Sequence, residues 1–201
     1  MRRNVMVLGV FLGLLWSAAA LAQGAPVPTP PPQQPPPSPG MIGANLDSVI
    51  QSSDFFQFFH LRQVQTAPGA GGRTMVDFRP DSPQFGPLVR VSASVDSTRI
   101  IHGMSIVIMR SFIDDATNSP FARDIAKSFI TDVPPPADSK QLEGFVNEIY
   151  PGANTGASPS PEYNVFLGKS PGPVAKKLTK TNFQIGQVTE QGKPALRISV
   201  E

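Results

Sequence analysis

Arg110, Asp114 and Asp115 are the residues of this chain whose types and spacing could do chemistry. Arg110 falls within the apolar run Ile106 to Ile113, in line with Ile106, Ile108 and Phe112 if that run is a strand. A guanidinium there must be paired or reach an exit, and the two carboxylates just beyond it are the partners at hand. Paired acids can move a proton or hold calcium, and with Arg79 and Arg90 on neighbouring strands Arg110 would complete a basic row for an anionic ligand. The simpler reading is structural: acids that precede a helix are favoured by its dipole, and Arg110 ties down the turn by pairing with one of them.

Any imidazole chemistry would have to use His60 or His102, the only histidines. Both read as strand residues without a carboxylate at metal-ligand spacing, so both read as structural. With no cysteine, a disulfide framework, a thiolate metal site, a cysteine nucleophile and a lipobox attachment are excluded. Gly168-Lys169-Ser170 resembles the end of a phosphate loop, but the first glycine of that motif would fall on Tyr163. No serine is followed three residues later by lysine. No cofactor-binding or metal-binding residues emerge.

The elements that must position these residues follow an N-terminal address. Arg2 and Arg3 precede an apolar run from Val5 to Ala22 that ends in Ala20-Leu21-Ala22, which predicts an export signal over 1–22, cleaved or kept as an anchor. The uncharged stretch from Ala25 to Gly40 is rich in proline and predicts an extended spacer over 23–40. Residues 41–201 are then one globular domain, exported to the periplasm or beyond and tethered to the membrane only if the signal stays. The 17 basic residues exceed the 15 acidic ones by two. Arg2 and Arg3 account for that excess, so the mature chain is neutral and nucleic acid is a poor partner.

Within 41–201, Leu46, Val49 and Ile50 behind Asn45 or Asp47 predict a short helix, and Phe55, Phe56, Phe58 and Phe59 read as core. His60 to Thr66 and Arg73 to Arg79 read as hairpin arms. Leu88 to Val95 alternates as a half-buried strand, and Asp96-Ser97-Thr98 turns the chain through a bulge at Gly103. The run from Ile106 is apolar on both faces and belongs mid-sheet. Ser119 and Pro120 open a helix whose stripe is Phe121, Ile125 and Phe129. Asp138, with Gln141 as capping-box partner, opens another with the stripe Leu142, Phe145, Val146, Ile149, ended by Pro151-Gly152. Strands follow at Tyr163 to Leu167, Thr181 to Thr189 and Ala195 to Glu201.

This segregated order predicts an α+β fold: an antiparallel β-sheet of about six to seven strands, with two or three helices packed mainly on one face. The acid-rich stretch Asp114 to Tyr150 and the basic stretch Lys169 to Glu201 would be two solvated faces of it.

For function, the residues favour an exported, non-catalytic binding or scaffolding module of the bacterial cell envelope, its partner another envelope protein or an anionic small ligand. One alternative is a small extracytoplasmic hydrolase or anion-binding protein using Arg110, Asp114 and Asp115. Another is a secreted structural protein that self-associates through an edge strand, Ala195 to Val200.

Overall fold

The computed structural model describes residues 40–149 and 158–201. The export signal, the spacer up to Pro39 and the Pro151-Gly152 helix stop lie outside the described residues. Seven strands form one antiparallel sheet: β1 (Leu61–Pro68), β2 (Thr74–Pro80), β3 (Val89–Val95), β4 (Ile101–Met109), β5 (Val174–Lys177), β6 (Asn182–Glu190) and β7 (Lys193–Val200), in the order β1-β2-β3-β4-β7-β6-β5. The fold is α+β, as the sequence predicts.

β4 lies fourth of seven and is buried along most of its length, which explains its unbroken apolar run. Its pairing places Met104, Ile106 and Ile108 beside Ala93, Val91 and Val89 on one side and beside Val200, Ile198 and Leu196 on the other. That face carries the helices. β7 is therefore internal, inserted between β4 and β6, and Ala195 to Val200 offers no free edge; the edges are β1 and β5.

Helix α1 (Leu46–Ser52) is capped by Asn45, whose Oδ1 accepts the N–H groups of Asp47 and Ser48. A single extended residue, Ser53, leads into α2 (Asp54–Phe58). After β4 the chain makes one helical turn, α3 (Arg110–Ile113), before α4 (Ser119–Asp132), where Pro120 sits at the N-terminus and Ala122, Ile125, Ala126, Phe129 and Ile130 are buried. The helical stretch α5 (Pro136–Ser139), a 3₁₀ turn at Lys140–Leu142 and α6 (Glu143–Ile149) bury the stripe Leu142, Phe145, Val146 and Ile149.

Beyond the ends of β1 and β4, two elements differ from the sequence reading. Tyr163 to Leu167 is not a strand: Pro161–Phe166 is helical and forms α7, because Ser160 caps Tyr163 N–H and Pro161 occupies the first turn. The fifth strand is instead Val174–Lys177, a short and mostly exposed edge without an apolar alternation to announce it. The second difference concerns Asp138, which lies inside α5 rather than at a cap. Its fully buried carboxylate accepts Thr181 N–H at 2.8 Å, Thr181 Oγ1 at 2.7 Å and Lys180 N–H at 3.0 Å. One carboxylate thus ties the helical layer to the β5–β6 turn through two backbone N–H groups and the Thr181 hydroxyl.

Candidate functional site

At the Arg110 junction, strand geometry stops at Met109 and Arg110 opens α3, from which its side chain reaches α7 on the helix-bearing side of the sheet. The guanidinium donates to the Phe166 carbonyl at 2.6 Å and to Asp114, one helical turn on. Gly168 closes over it, since a Cβ there would stand 3.2 Å from Nη2. Asp115 takes no part: its Oδ1 accepts the N–H groups of Thr117 and Asn118 at 2.7 and 3.0 Å, shaping the turn before α4. The structure brings Arg110 and Asp114 together and leaves Asp115 out. What Arg110 and Asp114 do here is join β4, α3 and α7.

Arg79, Arg90 and Arg110 do not make a row. Arg79 and Arg90 lie on the sheet face opposite the helices, whereas Arg110 reaches α7 on the helical side. Arg79 donates to the Gly86 carbonyl at 3.0 Å. Arg90 holds Glu190 through two bonds of 3.1 and 2.9 Å and touches Asp77 at 3.5 Å, while Ser92 donates to Asp77 at 2.6 Å.

The histidines divide. His102 belongs to β4 as the sequence predicts; it is the residue left over where the register passes from Ser94↔Gly103 to Val95↔Ile101. The bulge aims its Nε2 at Asp96 Oδ2, 2.9 Å away. Asp96 Oδ1 also accepts Thr98 N–H, Thr98 Oγ1 and Ile100 N–H. These bonds, that to His102 first, hold the Asp96 carboxyl well below the usual carboxylate range. His60, by contrast, is not in a strand: it occupies the left-handed region with φ +48° where the chain swings from α2 into β1. Its N–H donates to Gln57 O and its carbonyl accepts Asp81 N–H, so both backbone groups are satisfied in a conformation that costs a non-glycine residue of order 1 kcal/mol.

That turn forms one wall of an open groove of about 900 Å³ between α2 and α4. Asp54, Phe58 and His60 line it from the first side and Asp124, Lys127 and Asp132 from the second. Phe55 and Phe56 are buried, but Phe58 is 70% exposed. Its ring meets Phe59 edge-on at 5.0 Å, Phe59 meets Phe121 at 5.5 Å, and Phe121 stacks on Phe85 at 4.6 Å. Asp132, half-buried, accepts the Thr131 hydroxyl at 2.9 Å. Burial pushes its carboxyl above the ordinary value; the Thr131 bond opposes this and the Asp54 charge adds to it. Among the described residues no salt bridge involves Asp54, Asp124 or Asp132.

A second cavity, of about 500 Å³, lies among α6, α7 and β5, but its polar walls serve the fold. Glu148 accepts both the N–H and the hydroxyl of Ser160, and Lys176 Nζ donates to Gln141 O at 3.0 Å. Among the described residues no three histidine, aspartate or glutamate side chains gather as a metal site would require. No helix among them is long and apolar enough to cross a membrane.

The groove is absent from the sequence reading, which assigns all four phenylalanines to the core. Helical spacing carries the missing signal: 55, 56 and 59 fall on one side of a helix, and 58 is turned away from it. The three carboxylates come from two helices far apart in the chain, so no spacing brings them together. The chain matches no protein-family model, no curated protein and no solved structure.

Proposed function

We propose that this chain is an exported, non-catalytic binding module of the bacterial cell envelope that engages a partner protein through the α2–α4 groove, with the proline-rich segment as its tether. The observation that carries this reading is Phe58, an exposed aromatic ring that meets Phe59 edge-on at the wall of the groove. A large apolar side chain held in water is unfavourable for a fold on its own account, and rigid aromatic anchors beside a concavity are a property of interfaces. The polar groups of the Arg110 junction, the Arg90 cluster and the Asp138 site are engaged with one another or with backbone, which suits them to holding the fold.

The test is site-specific photocrosslinking in cells that express the chain. A benzophenone side chain at position 58 is compared with one at Gln184, on the sheet face away from the helices. The reading expects a discrete adduct with an envelope protein from position 58 and none from position 184. Equal labelling at both positions, or none at 58, overturns it.

A further inference from the structure

We propose that the occupant of the α2–α4 groove is a basic peptide segment of the partner, whose lysine or arginine side chains face Asp54, Asp124 and Asp132 and whose apolar side chain covers Phe58. This rests on the binding-module reading and gives it a chemistry.

The charged lining of the groove is three carboxylates and Lys127, so the concavity is net acidic even with Lys127 in place. The Asp54 charge disfavours that of Asp132, which is in addition half-withdrawn from water. A cation between them relieves both effects, and an anion meets both as repulsion. A bare calcium-like ion would need six or more converging oxygens, whereas among the described residues no three acidic or histidine side chains gather closely enough to hold a metal. Phe58 supplies what an ion cannot use: apolar area for an aliphatic or aromatic side chain, and a ring face on which a guanidinium can lie. The volume, about 900 Å³, accommodates several side chains. The opposite sheet face differs, since Asp77 and Glu190 there are already paired with Arg90.

The experiment titrates the ¹⁵N-labelled full chain at low ionic strength with three capped hexapeptides: one alternating Lys, Arg and Phe, the same peptide with Glu for each basic residue, and hexalysine. The proposal expects the Lys/Arg/Phe peptide to bind tightest, to move backbone signals from Asp54 to His60 and from Asp124 to Asp132, and to weaken as salt rises. The double variant Asp124→Asn/Asp132→Asn and the single variant Phe58→Ser should each lose about tenfold or more in affinity, the effect of removing an interface anchor. Urea midpoints of the same preparations establish that each variant is folded. Binding of the Glu peptide as tight as that of its basic counterpart, signal changes elsewhere, unchanged affinity in both variants, or no binding overturns the proposal. If crosslinking from position 58 succeeds while the peptide titration fails, the binding module stands and the basic occupant does not.

Discussion

Arg90 and Glu190, one hundred residues apart in the chain, meet in a two-bonded ion pair that passes over β4 and β7. Arg90 starts on β3 and Glu190 at the end of β6, so two side chains bridge a gap that is two strands wide. The sheet must curl toward this face for them to touch. Val107 and Met109 lie beneath the clasp and are buried although they point away from the helices.

Removing the cation should therefore expose two acids to each other. Arg90→Ala is expected to lower unfolding free energy by about 2 kcal/mol, less than for a fully buried pair because these groups keep some water contact. Arg62→Ala, which breaks the exposed Arg62–Asp81 pair, should cost about 0.5 kcal/mol or less. Urea titration of both variants checks the contrast.

Asp138 offers a sharper case. Asp138→Ala leaves the N–H groups of Lys180 and Thr181 without their acceptor at a buried site, and the expected loss is about 3 kcal/mol. Asp138→Asn keeps one oxygen and should lose less. Denaturant midpoints, with amide exchange at Thr181 as a local probe, measure both.

Arg110→Ala should cost about 2 kcal/mol, because the Phe166 carbonyl and Asp114 lose a charged donor together. Asp115→Ala should act only through the turn before α4, by about 1 kcal/mol. Thermal unfolding separates them. Equal losses would mean that Asp115 shares the junction after all.

Two carboxyls should set opposite pH trends. The folded-state value of Asp96 is lowered by its bonds to His102, Thr98 and Ile100, so its contribution to stability is present above the unfolded value near 4 and is lost as pH falls through the folded one. Asp132 is raised by burial, so its contribution is present below the unfolded value and is lost as pH rises through the folded one. Urea midpoints from pH 7 to pH 2 should therefore fall less steeply in acid for Asp96→Asn than for wild type. Asp132→Asn should raise the midpoint at pH 7 and leave it unchanged at pH 3, the Thr131 hydroxyl donating to the amide oxygen instead.

What the sequence reveals and hides follows from the range of each interaction. The two-sided run of β4, the alternation of β3 and the α4 stripe repeat along the chain, and the Gln191-Gly192 turn between β6 and β7 places both central residues at positive φ, as such tight hairpins require. All of these are local and legible. Arg110 is misplaced because Phe112 and Ile113 are buried in a helical turn just as they would be in a continuing strand, so burial alone does not mark where β4 ends. The Arg90–Glu190 clasp and the meeting of Asp54 with Asp132 depend on chain separation and sheet curvature, which no spacing encodes.

The central claim is that Phe58 serves binding rather than folding, and one paired measurement on Phe58→Ser tests it: the urea midpoint together with affinity for the Lys/Arg/Phe peptide. The account predicts a stability change within about 1 kcal/mol, the worth of one aromatic edge contact, and an affinity loss of about tenfold or more. A large drop in stability with unchanged affinity would contradict it.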